Sequence, residues 1–136
     1  MGWASKRAVL AGSAGVIACG LLLAAPVVAG DFVAALEREL ARQPLHIGDP
    51  AALVQRIAWC TGAAQGYIEA AVAAGADVFV TGEASEPTVH VAREEGIHFV
   101  AAGHHATERY GVQALGAELA SRFDLEHRFF DMDNPV

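Results

Sequence analysis

Hydrophobic positions recur at helical spacing between Asp31 and Gln43, where "DFVAALERELARQ" sets Phe32, Leu36 and Leu40 on one face and stops before Pro44. That pattern predicts an amphipathic helix with Asp31 as its N-cap. Beyond the turn-rich "PLHIGDP", the rhythm changes to short apolar runs. "LVQRIAWC" predicts a strand, "TGAAQG" a small-residue loop and "YIEAAVAAG" a helix. The unit repeats with "DVFVT", "GEASEP" and "TVHVAREEG", closing on Gly96 at a position suited to C′. It repeats again with "IHFVAA", "GHH" and "ATERYGVQALGAELASRF". A last strand is expected at "LEHRFFDM", whose partial alternation suits a sheet edge. Strands alternating with helices predict an α/β layer fold, with a parallel or mixed sheet of about four strands.

Residues 1–30 follow a different pattern. Lys6 and Arg7 precede an uncharged run from Ala8 to Gly30, with small residues at Val27 and Ala29. This suits a secretory leader. It also suits a weak membrane anchor, or sequence translated from a mis-called start upstream of a truncated gene. The chain therefore divides into an apolar leader over 1–30 and an α/β domain over 31–136. A chain beginning at Asp31 is expected to fold, and removal of the leader to improve solubility without costing structure. At 136 residues there is room for one domain. The formal charge of −7, with 16 acidic and 9 basic residues and no Lys/Arg run, argues against a nucleic-acid face. Cys19 and Cys60 form neither a disulfide framework nor a CxxC site, and each reads as a small buried hydrophobe.

In open α/β sheets ligands gather beyond the carboxyl ends of the strands. Three loops there carry polar or glycine-rich sequence: "CTGAAQG", "TGEASE" and "AAGHHATE". The third is the richest. If its helix starts near His105 or Ala106, His104 and Glu108 lie on one face a turn apart. An imidazole and a carboxylate so presented suit zinc, manganese or iron. A chance pair at this spacing is the alternative, with Glu108 an N-terminal acid facing the helix dipole and His105 a half-exposed neighbour of the cap. Glu83 is a site carboxylate or a solvated loop acid. His90 reads as a helix-face residue, and His46, His98 and His127 as structural.

The series "GAAQGYI", "ADVFVTGE", "HVAREEGIHF", "AAGHHATERYGVQALG" and a terminal "D-NPV" resembles the carboxy-terminal part of the dinuclear-metal-centre, hexameric proteins known as type-2 GTP cyclohydrolase I homologues, the Ngg-interacting-factor-three-like family. The resemblance runs from about Asp31 to Val136. It implies the C-terminal half of a two-lobed α/β fold, a homohexamer, a cytoplasmic location without stable membrane insertion, and a two-metal site between the lobes. The "GHHATE" motif carries a histidine and a glutamate ligand onto His104 and Glu108. Glu83 becomes a candidate catalytic carboxylate, supporting a ligand from behind or moving a proton. The family's amino-terminal His-His pair and aspartate have no counterpart before Asp31, so fewer than two ions per chain are expected. The activity implied is metal-dependent hydrolysis of a small-molecule or nucleotide substrate. A non-catalytic metal-binding scaffold is the alternative.

Overall fold

The structure, a computed structural model, describes residues 7–9, 19–132 and 134–136. Its elements run β1 (Arg7–Val9), β2 (Cys19–Val28), α1 (Ala29–Leu40), β3 (Leu45–Ile47), β4 (Leu53–Trp59), a 3₁₀ turn (Gln65–Tyr67), α2 (Ile68–Ala73), β5 (Val78–Thr81), α3 (Glu86–Glu95), β6 (His98–Ala101) and α4 (His104–Phe123). The described strands form one mixed sheet of order β1-β2-β4-β5-β6-β3. Its centre, β4, β5 and β6, is parallel, because each strand is followed by a helix that carries the chain back over the sheet. β2 pairs antiparallel with β4, β1 with β2, and β3 with β6.

Strand alternation sorts the core into two layers. Ala58, Phe79 and Phe99 point to one face and meet Ile68 and Ala71 of α2, Ala92 of α3, and Ile97. Ile57, Val78, Val80 and Val100 point to the other, where Phe32, Val33, Leu36 and Leu40 of α1 cover part of the surface. Val78, Phe79, Val80 and Thr81 are all buried, as expected of a strand covered on both sides. The α/β class, the three central strands and their helices match the sequence-based reading. Gly96 closes α3 at φ 67°, in the left-handed region where a glycine carries no Cβ penalty.

Four local expectations are corrected. Residues 19–28, assigned to an apolar leader, form β2, and Leu21, Leu23 and Val27 pack against the α1-side core. The proposed break at residue 30 falls inside α1, which starts at Ala29 with Val28 as N-cap, so Asp31 is a first-turn acid rather than the cap. Of the remaining leader, residues 1–6 and 10–18 lie outside the described residues. The turn-rich "PLHIGDP" contains β3, whose three residues pair with β6. Finally, 125–132 is not a strand: it runs exposed and without regular structure. Its anchors are side chains on α4 rather than a backbone ladder, with the His127 ring over Gly116 and Asp131 bonded to His105 and Arg109. Among the described residues no helix is long and apolar enough to cross a membrane.

The glycines of α4 separate intrinsic propensity from packing. Gly111 is exposed, with nothing within 4 Å of an added Cβ, whereas a Cβ at Gly116 would strike the His127 ring. Gly111→Ala is therefore expected to stabilise the protein by roughly 0.5–1 kcal/mol. Gly116→Ala should gain less, because the tail must move. Urea unfolding of the two variants side by side checks the difference, and equal gains would show that His127 does not pack there.

Candidate functional site

The parallel strands end together, and their loops are tied to one another through the backbone. After β4 the Gly62 carbonyl accepts the Gly82 N–H at 3.0 Å and the Thr81 hydroxyl at 3.2 Å. Gly82, after β5, accepts in turn from the Gly103 N–H at 2.9 Å. Close approach makes glycine necessary at two of these positions. At Gly82 an added Cβ would lie 2.7 Å from both the Gly62 carbonyl oxygen and His104 Cα. At Gly62, where φ is +71°, it would strike Glu108 Oε1. Thr107 completes the floor: its hydroxyl donates back to the Gly103 carbonyl at 2.9 Å and accepts the Gly62 N–H at 3.4 Å.

On this floor the structure brings together Glu83, His104 and Glu108, the residues expected from the sequence. His104 is the first residue of α4 and Gly103 its N-cap, which starts the helix one residue earlier than expected. Its Nδ1–H donates to Glu83 Oε1 at 2.6 Å, and Nε2 lies 3.2 Å from Glu108 Oε2. With Nδ1–H committed to Glu83, the Nε2 lone pair faces a carboxylate, and only a proton or a cation reconciles the two. The bond to Glu83 raises the His104 pKa above its ordinary value, with the negative charges of Glu108 and Glu83 adding and partial burial opposing.

Two of these donors are spaced so that they could hold one ion. Ligand atoms on one ion with bonds of about 2.1 Å stand roughly 3.0–3.5 Å apart, and Nε2 and Oε2 meet that separation. Glu83 is on the other side of the ring, in the position from which a carboxylate fixes a ligating imidazole. Hence, among the described residues, no group of three or more His, Cys, Asp or Glu side chains is set to hold an ion.

The other histidines stand elsewhere. His105 Nε2–H donates to Asp131 Oδ1 at 2.7 Å, and Asp131 Oδ2 accepts from Arg109 at 3.0 Å. His105 first, and then Arg109, hold the Asp131 carboxyl below its usual range. The sequence reading gave Arg109 and Asp131 no role, because 22 residues separate the partners and no spacing rule joins them. His90 is exposed on α3, 4.0 Å from Glu86. His46 and His98 bond each other at 3.0 Å across β3 and β6, and burial together with His98 depresses the His46 pKa. Cys60, expected to be buried, is only half-buried, just after β4. The side chain of Cys19 lies outside the description.

Comparison with known proteins places the fold. The family model for Duf34/NIF3 (NGG1p interacting factor 3) matches residues 9–135. A GTP cyclohydrolase 1 type 2 homolog of Pseudomonas aeruginosa is 58% identical over 114 residues, covering 84% of this chain and 45% of that protein. The homolog of Escherichia coli strain K12 is 49% identical over 115 residues, covering 84% and 47%. Among solved structures, protein ybgI, of unknown function, superposes with a TM-score of 0.87 at 44% identity, covering 96% of this chain and 53% of that one. A Bacillus cereus protein related to NIF3 gives 0.73 at 26% identity, covering 79% and 30%. The chain thus spans about half the length of the curated relatives it matches. With a matching family model over nearly all its residues and the same fold in its solved neighbours, the chain belongs to the DUF34/NIF3 family.

Proposed function

We propose that the chain carries one half of a divalent-metal site in a hydrolase related to the type-2 GTP cyclohydrolase I homologues. The observation that supports this is the facing pair of His104 Nε2 and Glu108 Oε2 at 3.2 Å, with the opposite ring nitrogen held by Glu83. His104 and Glu108 would be the ligands of a zinc, manganese or iron ion. Such an ion supplies Lewis acidity to a bound water and to the bond that water attacks. Glu83 holds the Nδ1 proton, fixing the tautomer that leaves Nε2 as a donor atom. The Gly62 and Gly82 backbones bring the loops within contact of His104 and leave no side chain over it. The substrate is a small molecule or nucleotide, and the location cytoplasmic.

A second reading is a metal-binding oligomer without turnover. It is favoured by the small number of donors and by Val112, Leu115, Leu119 and Phe123, which lie exposed along α4 at spacings of three and four residues. A homohexamer of the kind the resemblance implies would cover such a stripe.

Elemental analysis after dialysis against zinc or manganese is expected to give fewer than two ions per chain. Glu108→Ala should abolish retention, and Glu83→Gln should weaken it by about 10- to 100-fold. Two tightly held ions per chain would show that ligands have been missed. Nucleotide hydrolysis that disappears in Glu108→Ala supports the hydrolase, whereas metal-dependent assembly without turnover supports the second reading.

A further inference from the structure

Next to Glu108 the C-terminal tail runs beside the first turns of α4 and leaves an open pocket of about 340 Å³, large enough for a small organic ligand. Its walls differ in chemistry. His105, Glu108, Arg109 and Val112 come from α4, and Phe129 and Phe130 from the tail. Beside it the Asp131 carboxylate spans the two basic groups that line it, one oxygen 2.7 Å from His105 Nε2 and the other 3.0 Å from Arg109. One planar oxyanion bridging an imidazole and a guanidinium is the arrangement by which proteins bind a carboxylate or phosphate ligand.

Arg109 does not owe its position to Asp131. A second guanidinium nitrogen donates to the Leu40 carbonyl at 2.7 Å, the guanidinium lies 5.4 Å from the Tyr110 ring centroid, and the Tyr110 hydroxyl donates to the Glu39 carbonyl at 2.7 Å. The end of α1 therefore holds the cation in place. The tail, by contrast, is exposed and has no regular structure. Besides Asp131, the described residues of the tail bond to α4 through the Val136 carbonyl, which accepts the His105 N–H at 3.1 Å, and the Leu125 N–H at the helix end. An exposed ion pair is a weak tie.

We infer that Arg109 and His105 form a binding site for the oxyanion of a small phosphate- or carboxylate-bearing ligand with an apolar body, and that Asp131 occupies this site when the ligand is absent. The tail is then an internal competitor. The phenyl rings of the tail receive the body of the ligand, and the negative charge of Glu108, on the same helix, keeps the oxyanion at the Arg109 end. The site adjoins the proposed metal ligands but does not require them.

The test is an amide and arginine side-chain NMR titration of the metal-free 136-residue protein with inorganic phosphate, phenyl phosphate and benzoate. Shifts are expected at His105, Arg109 and Asp131, with phenyl phosphate binding several-fold tighter than phosphate. The comparison with benzoate distinguishes phosphate from carboxylate preference. Asp131→Ala should tighten binding about tenfold, since a tethered competitor acts at millimolar effective concentration. Arg109→Gln should abolish binding. Should that variant not fold, Arg109→Lys serves, keeping the charge but losing the fork, with an expected loss of about tenfold. Unchanged or weaker binding in Asp131→Ala, wild-type affinity in Arg109→Lys, or shifts centred elsewhere would overturn the inference. No readout involves metal or turnover, so failure of the hydrolase reading leaves this result intact.

Discussion

A chain beginning at Asp31 is expected to lose the native fold, the reverse of the expectation raised by its sequence. The reason is β2, the longest described strand, which lies between β1 and β4 in the sheet. It pairs with β4 at Cys19–Trp59, Gly20–Ala58, Leu21–Ile57 and Leu22–Arg56, and again at Val27–Val54 and Val28–Leu53. Removing it strips β4 of its antiparallel ladder. It also removes Leu21, Leu23 and Val27 from the α1-side core and deletes Ala29, the buried first residue of α1. Each half-buried aliphatic side chain contributes about 1 kcal/mol, and each ladder hydrogen bond about 0.5–1.5 kcal/mol net. The loss exceeds about 5 kcal/mol, the lower end of the stability of a whole small domain. Near-UV circular dichroism and urea unfolding of the two chains check this. A cooperative transition with an unchanged midpoint in the shorter chain would show that β2 is dispensable.

The misreading of β2 has a physical cause. "CGLLLAAPVV" is uncharged and made of small and aliphatic residues, and an apolar run of ten residues has the same composition whether it is the core of a leader or a buried strand. Only its partner distinguishes them, and that partner, β4, starts 34 residues after Cys19. Pro26 added to the ambiguity. It falls where the β2–β4 register shifts between Leu22 and Val27, a break that tolerates a residue without an N–H. The central βαβ units were legible because each strand is followed within a few residues by turn signals and a helical pattern. β3 is three residues long, too short to show a period. At 125–132 hydrophobic residues promised a strand, yet Leu125, Phe129, Phe130 and Met132 are exposed and the segment holds to α4 by side chains.

The site shows the same division. The four-residue spacing of His104 and Glu108 fixes their common face as soon as the helix is granted, and the loop position of Glu83 follows from the ends of the strands. That Glu83 binds Nδ1, so that the two carboxylates flank a single ring, depends on how β5 and β6 register at Val78–His98 through Thr81–Ala101. No local pattern encodes it. Thr107, Gly62 and Gly82 were visible only as members of motifs, because their role is to let three loops touch.

Gly82→Ala tests that role most directly and is expected to destabilise the protein by about 3 kcal/mol, near the top of the range for overfilling a packed site. The new methyl would meet the Gly62 carbonyl oxygen at 2.7 Å, His104 Cα at 2.7 Å and His104 N at 3.0 Å. All three are backbone atoms, so no rotamer change relieves the contact. The β4 and β6 loops must separate. Separation would stretch the bond from Gly82 N–H to the Gly62 carbonyl and that from Gly103 N–H to the Gly82 carbonyl. It would also carry His104 away from Glu83, and metal retention should fall by more than tenfold along with stability, because both depend on the same approach. Gly66→Ala is the matched control, since a Cβ there meets nothing within 4 Å, and it should change stability by less than about 0.5 kcal/mol. Urea midpoints and zinc titration calorimetry of the two variants give the comparison. If Gly82→Ala behaves like Gly66→Ala in both, the loops are not held in contact as described and the geometry of His104 has another origin.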